Sequence, residues 1–370
     1  MTSFDVLIVG GGVIGMMTAR ELANGGAKVL VVDKGNLASE ASWAGGGIVS
    51  PLYPWRYNDA ITALASWSQS SYVRLSQELL EETGIDPELR QKGLLMLAVA
   101  DERNALEWAK RCQRPMVQVA ADFIYQLEAN LPAGLEQALW MPEVSSIRNP
   151  RLGQSLQRSL ELHPNIELKL NCPVLAVNRG ECRVESVSTA DGDLTAGHYL
   201  LSAGAWSGGI AEAADVQLPV QPVKGQMLLF KAEPGLLDRV VLQNGRYLIP
   251  RNDGRILVGS TLEFEGFNKR TTEEAYKSLY ESAIRIMPKL EQYPVEVHWS
   301  GLRPGSPGGI PFIGQVPGVD NLYINAGHFR NGLVLAPASC HLVADLILGR
   351  QPMIDEQPYQ LKAPRPENLI

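Results

Sequence analysis

The first thirty-three residues constrain the fold more than any other stretch of this chain. Residues 4–9 (Phe-Asp-Val-Leu-Ile-Val) are a short apolar run of strand type that breaks into Gly10-Gly11-Gly12-Val13-Ile14-Gly15 before a helical stretch over 16–24. The order is strand, glycine turn, helix. The spaced glycines have separate tasks. Gly10 permits the tight turn, Gly12 lets a pyrophosphate approach the backbone, and Gly15 lets the helix pack close to the strand. The helix N-terminus then faces the phosphates. Its free amides and the positive end of the dipole bind an anion without a basic side chain, and no Lys or Arg precedes Arg20. A second strand over 28–32 ends on Asp33, about 20 residues past the glycines, where a ribose-binding acid belongs. Its carboxylate can accept from both ribose hydroxyls and would repel a 2′-phosphate. That predicts the adenosine ribose of FAD or NAD rather than NADP.

Residues 36–48, with Ser42, Ala44, Gly45 and Gly46, are rich in small side chains. Such a loop lets backbone press against a flat ligand, which favours a flavin. The run 198–207 is another apolar strand ending in a small-residue turn at Ala203-Gly204, and it repeats the logic of the opening motif. A strand over 321–325, a turn over 326–332 and an apolar helix over 333–348 aim a second helix N-terminus at whatever sits on this sheet. A helix start there would stabilise the negative charge of a reduced flavin.

Between these segments the pattern changes. Residues 59–82 predict a long amphipathic helix with Ile61, Leu64, Trp67, Tyr72, Leu75 and Leu79 on one face, and 93–100 a buried strand followed by a helix that Asp101 caps. The helix over 152–162 and the strand over 166–170 read as a return to the first sheet, followed by short strands over 174–177 and 182–189. From Pro219 onwards, strands over 224–231, 247–251, 255–261 and 295–300, two of them joined through Asp253-Gly254, predict an antiparallel sheet. One helix interrupts it, opening on a capping box from Thr271 to Glu274 and stopping before Pro288. The fold class is therefore α/β with an α+β second domain. A discontinuous Rossmann-like FAD-binding domain is expected over residues 1–84, 146–215 and 301–370, with a substrate-binding domain on an antiparallel sheet over 85–145 and 216–300.

A chain of 370 residues with a net charge of −7 and no long run of either sign argues against nucleic acid or an anionic membrane as partner. Small-molecule chemistry is the expectation, with self-association into a homo-oligomer left open. The four cysteines lack C-x-x-C spacing and the five histidines lack ligand pairs, so neither a metal site nor a disulfide framework is expected. The first apolar run has no basic region before it, and no run reaches the roughly 18 apolar residues that span a bilayer. The expected location is the cytoplasm.

Four further segments carry a resemblance: Pro222-Val223-Lys224-Gly225, residues 247–251 (Tyr-Leu-Ile-Pro-Arg), Gly301-Leu302-Arg303-Pro304 and residues 327–332 (Gly-His-Phe-Arg-Asn-Gly). In this order and spacing, from Gly10 to Leu348, the chain resembles the D-amino-acid oxidase family of flavoproteins, and within it the bacterial glycine-oxidase branch that serves thiamine biosynthesis. The resemblance implies non-covalent FAD, oxidation of an amino acid to an imino acid, and dioxygen as electron acceptor. It makes Arg303 the arginine that holds the substrate carboxylate, Tyr247 its hydroxyl partner, and Arg330 an active-site arginine near the flavin. The FAD-contacting set is expected to be Gly10, Gly12, Val13, Ile14, Gly15, Asp33, Lys34, Ser42, Ala44, Gly45, Gly46, Val174, Ala203, Gly204, His328, Arg330, Asn331, Gly332 and Leu333. A planar guanidinium suits a carboxylate independently of any family, because two parallel hydrogen bonds fix position and orientation together. His328 is expected as a turn residue whose backbone faces the flavin, not as a base. Two positions depart from the branch. Asn244-Gly245-Arg246 stands where it has a histidine two residues from the tyrosine, and Leu262 where a methionine lines the pocket. The rivals are a D-amino-acid dehydrogenase with a quinone acceptor, a sarcosine oxidase and a non-catalytic flavin protein. No cysteine lies in 301–314 to attach FAD, as monomeric sarcosine oxidases require.

Overall fold

The computed structural model describes residues 4–368. Six strands form the first sheet, in the order Phe312–Gln315, Leu322–Ala326, Ala196–Leu201, Phe4–Val9, Val29–Val32, Ile166–Lys169. All neighbours are parallel except the first pair. Parallel strands covered on both faces read as unbroken apolar runs, and Val6 to Val9 are at most 4% exposed. On one face the helices Val13–Asn24, Asp59–Thr83, Asn149–Leu162 and Gly332–Ile347 share a single core with Val6, Ile8, Val29 and Val31. On the other face Leu7, Val9, Leu30 and Val32 pack against Val177, Val184 and Val187. These three come from a separate three-stranded sheet built by Ala176–Arg179, Val184–Thr189 and Gly192–Leu194.

The long helix starts one residue after Asn58, whose side chain accepts from the Ala60 amide, and stops at Gly84 in the left-handed region. Of its expected apolar face, Ile61, Leu64, Tyr72 and Leu79 are buried, while Trp67 and Leu75 pack at the edge of the core.

Eight strands form the second sheet, in the order Val295–Gly305, Gln221–Phe230, Ile256–Gly259, Arg246–Pro250, Val240–Gln243, Leu94–Leu97, Gln137–Met141, Val117–Ala120. It is antiparallel except where Val240–Gln243 runs parallel to Leu94–Leu97. That exception corrects the purely antiparallel expectation. The two strands come from distant parts of the chain, so no hairpin imposes opposite directions on them. One face of the sheet, with Leu228, Phe230, Leu248, Ile256 and Val258, packs on Leu279, Ala283 and Ile286 of the helix Glu273–Ile286. The alternate residues, including Met227, Tyr247 and Ile249, lie on the opposite face.

Two capping expectations fail for tertiary reasons. The helix Glu102–Arg111 does follow Asp101, but the Asp101 carboxylate makes no cap. It accepts instead from Trp55 Nε1 at 2.7 Å and Arg56 Nε at 2.8 Å, and these contacts hold its pKa down at about 2. The helix expected to open on Thr271 is capped by Thr272, whose hydroxyl accepts from the Ala275 amide at 3.3 Å. The Thr272 amide, which a capping-box glutamate would satisfy, donates to Gln226 Oε1 at 3.0 Å. A side chain from the neighbouring sheet has replaced the local partner.

Candidate active site

A cavity of about 420 Å³ is lined by both sheets and contains every residue of the expected site except Gly15. Gly15 stands behind the lining. A Cβ there would lie 1.8 Å from the Gly10 carbonyl oxygen, so its hydrogen serves helix-to-strand contact, not ligand contact. Gly10 adopts φ +110°, and a Cβ on it would meet the Ser202 carbonyl oxygen at 2.6 Å.

At this end the Asp33 carboxylate accepts from the Gly11 amide at 2.6 Å and the Gly35 amide at 2.8 Å. One backbone donor fixes each oxygen, and a second lone pair on each is left for a hydroxyl. The helix Val13–Asn24 has no acidic residue in its first turn and no cap from Gly12, while its Val13 amide donates to Ser42 Oγ at 2.9 Å. Lys34 lies with its ammonium 3.1 Å from the centroid of the Trp206 ring, and burial lowers its pKa. Val174, Ala203 and Gly204 continue the wall. So does Cys172, which the sequence reading passed over; its amide donates to the Asp33 carbonyl at 2.8 Å, placing it beside the ribose acid.

The second helix start also faces the cavity. Asn331 occupies the N-cap of Gly332–Ile347 without a side-chain cap bond, the first turn holds no acid, and Gly332 and Leu333 line the space. The His328 ring turns into the core, with Nε2 3.1 Å from Ser339 Oγ, and burial drives its pKa down to about 3. It is neutral, and its ring is committed to the serine.

Three side chains hold the small-residue loop, and composition gave no hint of them. Asn149 Nδ2 donates to the Ser42 carbonyl at 2.9 Å, Trp299 Nε1 to the Ala44 carbonyl at 3.1 Å, and Arg251 Nη2 to the Gly46 carbonyl at 2.8 Å. A Cβ on Gly301 would come within 2.5 Å of the Ala44 Cβ, so strand and loop touch through hydrogens.

Sheet register builds the other end. Val223 pairs with Arg303, Gly225 with Gly301, Met227 with Trp299 and with Gly259, and Gly259 with Tyr247. Arg303 and Tyr247, far apart in sequence, therefore share a face. Arg303 Nη2 donates to Ser260 Oγ at 2.7 Å and Nη1 to the Thr261 carbonyl at 3.2 Å. Burial lowers its pKa, and nearby Tyr247 opposes the shift. Its guanidinium lies directly over Gly225, where a Cβ would be 2.2 Å from Nη1. Tyr247 stands in a slot left by two glycines, since a Cβ on Gly259 would reach its ring at 2.6 Å and one on Gly46 at 3.2 Å. Its hydroxyl meets Met227 Sδ at 3.4 Å. Among the described residues, neither Arg303 nor Arg330 forms an ion pair. The Arg330 guanidinium makes no hydrogen bond to any of them either.

Leu262 is not in this wall. It is 46% exposed, because its neighbours are fixed from the other side: Thr261 by Arg303, and Glu263 by Lys224 at 2.8 Å and Gln226 at 2.9 Å. Met227, from a different strand, supplies the thioether. The loop 53–57 does not line this cavity; Tyr53, Arg56 and Tyr57 line an adjoining one of about 360 Å³ that shares Leu52 and Arg330 with it. Tyr53 Oη accepts from the Gly245 amide at 2.9 Å, and Asp101 fixes Trp55 and Arg56. Burial raises the Tyr57 pKa against the opposing effect of nearby Arg330.

The cavity fits FAD. Two helix starts with no acid in their first turns suit the pyrophosphate and a reduced isoalloxazine, Asp33 suits the ribose, and a Cβ on Gly204 would meet no protein atom within 4 Å. Comparison with known proteins agrees. The family described as FAD dependent oxidoreductase matches residues 5–346. Glycine oxidase of Pseudomonas aeruginosa is 52% identical, over 96% of this chain and 97% of the relative. The crystal structure of glycine oxidase from Geobacillus kaustophilus has a TM-score of 0.92 and 29% identity, covering 98% of this chain and 99% of that one. A bifunctional protein ThiO/ThiG of Nostoc sp. is 31% identical over 93% of this chain, which spans 52% of that longer protein.

Proposed function

The chain belongs to the family of FAD dependent oxidoreductases, and on that premise we propose that it oxidises glycine and other small amino acids, among them sarcosine, D-proline and D-alanine, to the imino acid and then the 2-oxo acid, reducing dioxygen to hydrogen peroxide. The observation that carries this reading is the Arg303 guanidinium, without a carboxylate partner among the described residues, beside Tyr247 in the same cavity as Asp33 and two helix starts with no acid in their first turns. FAD, when bound, supplies the two-electron acceptor. Asp33 and the amides of the Val13–Asn24 helix would hold its ribose and pyrophosphate, and the amides at Gly332 and Leu333 its flavin end. Covalent attachment has no support, since the cavity cysteine, Cys172, sits at Asp33.

The chain's own residues bind and orient the substrate. Arg303 is held by Ser260 and Thr261 and offers its remaining donors to a carboxylate, with the Tyr247 hydroxyl beside it. The carboxylates of the cavity lining, Asp33 and Glu40, belong to the nucleotide end and its flanking loop, and His328 is tied to Ser339. Among the described residues no carboxylate or free imidazole of the cavity lining stands beside Arg303, so the amine has to bind already neutral. We divide the chain into a flavin domain over 1–84, 146–215 and 301–370 and a substrate domain over 85–145 and 216–300; the two sheets follow this division except at 300/301, where the strand Val295–Gly305 crosses the boundary and pairs throughout in the second sheet. Relatives fused as ThiO/ThiG support a role in supplying the imino acid for thiamine biosynthesis. No described helix is long and apolar enough to cross a membrane. We take a cytoplasmic location and small-molecule partners as part of the same reading. Peroxide release from glycine, sarcosine, D-proline, D-alanine, D-phenylalanine and L-alanine tests it. Turnover of the small and D-configured substrates supports the proposal, and a preference for L-alanine overturns it.

A further inference from the structure

Arg246 stands where the chain departs from the glycine-oxidase branch, and it lines neither cavity. Asn244 and Gly245 both take positive φ, +49° and +76°, and form the two-residue turn between Val240–Gln243 and Arg246–Pro250. The turn makes Arg246 the first residue of its strand, one step before Tyr247. Side chains alternate along a strand, so Tyr247 faces the cavity while Arg246 shares the opposite face with Leu248, against the helix Glu273–Ile286.

On that face Arg246 Nη2 donates to Ser278 Oγ of the helix at 3.1 Å, and Nη1 donates to the Ser260 carbonyl. Among the described residues it forms no ion pair. Burial lowers its pKa, nearby Tyr247 opposes the shift, and Arg330 adds to it. A half-buried cation without a carboxylate costs free energy at a place where Leu248, Ile256 and Val258 show that apolar side chains pack. The bond to Ser260 connects this cation to the active site. The peptide between Ser260 and Thr261 is gripped at both ends, its carbonyl by Arg246 and its amide by the Gln226 carbonyl at 3.3 Å. The groups on either side of that peptide, Ser260 Oγ and the Thr261 carbonyl, are the two acceptors of Arg303, at 2.7 Å and 3.2 Å.

We infer that Arg246 is a positioning residue for substrate binding: by fixing the Ser260–Thr261 peptide from the helix side of the sheet, it sets where Arg303 presents its paired donors to the α-carboxylate. This inference rests on the amino-acid reading given above and adds to it a residue that lies outside the cavity lining.

The test reads carboxylate binding apart from turnover. Methoxyacetate, which has a carboxylate and no oxidisable amine, is titrated into the holoenzyme as purified and followed by the visible flavin spectrum. Arg246→Met should weaken its binding about tenfold and raise KM for glycine by the same factor, while flavin reduction at saturating glycine slows by less than about threefold. The thermal midpoint should stay level or rise, because an apolar side chain replaces an unpaired cation. Arg246→Lys, which keeps a donor within reach of the Ser260 carbonyl, should recover part of the affinity. In a Ser260→Ala background, where the Oγ end of the link is already gone, the same Arg246→Met change should cost less than about threefold. Unchanged methoxyacetate affinity in Arg246→Met overturns the inference. So does an undiminished loss in the Ser260→Ala background, or a loss that comes with a lower midpoint, which would assign the arginine to the fold alone. If Arg246→Met does not retain FAD, Ser278→Ala decides, since it frees the far end of the guanidinium without touching the cavity: binding weaker by about twofold or more supports the inference, and equal binding overturns it. If methoxyacetate responds as expected but glycine and sarcosine yield neither peroxide nor flavin reduction, it is the oxidase reading that fails.

Discussion

Gly225→Ala should disable substrate binding while sparing the cofactor. A methyl carbon at this position would lie 2.2 Å from Arg303 Nη1, 2.3 Å from Nη2 and 2.4 Å from Cζ. Ordinary contact begins at 3.4 Å, so the guanidinium must move by about 1 Å or the strands must separate. Strand separation is opposed by the long register between Gln221–Phe230 and Val295–Gly305, so the side chain gives way. Its bond to Ser260 Oγ, now 2.7 Å, is then lost, and its paired donors no longer lie where the carboxylate needs them. Losing one charged hydrogen bond costs about 1.5–3 kcal/mol, which corresponds to a roughly 10- to 150-fold fall in kcat/KM. The assay is steady-state peroxide release with glycine and D-alanine, alongside the thermal midpoint and the visible flavin spectrum. A fall common to every carboxylate substrate, with spectrum and midpoint preserved, is expected. A KM within threefold of the unmodified protein would refute the argument that the guanidinium is pinned against this glycine.

Arg303→Lys keeps the charge but removes the planar pair of donors, and KM for every amino acid should rise by roughly 100-fold or more; a near-normal KM would place the carboxylate elsewhere. Asp33→Ala removes the acceptor at the ribose and should weaken FAD retention by about 1–3 kcal/mol, measured by equilibrium dialysis; unchanged affinity would remove Asp33 from the ribose. His328 is depressed in the fold from 6.5 to about 3 by burial. The unfolded chain binds its proton first on acidification, so the contribution to stability is present above pH 6.5 and is lost as pH falls towards 3. Between pH 7 and pH 5 it amounts to about 2 kcal/mol, and His328→Asn should show that much less acid sensitivity in urea unfolding; an identical pH slope would contradict the burial argument.

The nucleotide end was legible because its information is local. Gly10, Gly12, Gly15 and Asp33 lie within one strand-turn-helix-strand unit, and each falls where that geometry requires it. The substrate end was not legible in the same way. Arg303 and Tyr247 came from resemblance, and their supports, Gly225, Met227, Gly259 and Ser260, come together only through the register of four strands spread over residues 221–305. Asp101 shows the limit most clearly. It stands before a helix as a cap should, yet Trp55 and Arg56, brought in by tertiary packing, are stronger donors than the first-turn amides. Leu262 erred in the opposite direction, because an apolar residue in a pocket-forming segment turns outward when its neighbours are bound from within.

The central claim is an oxidase acting on glycine, and the most direct measurement is made in two steps on the holoenzyme. Glycine is added without dioxygen, the visible flavin absorption is followed, and air is then admitted. Glycine should bleach the flavin, and air should restore the colour with release of one equivalent of peroxide. A flavin that glycine leaves oxidised contradicts the substrate assignment, and one that stays bleached in air contradicts the oxidase.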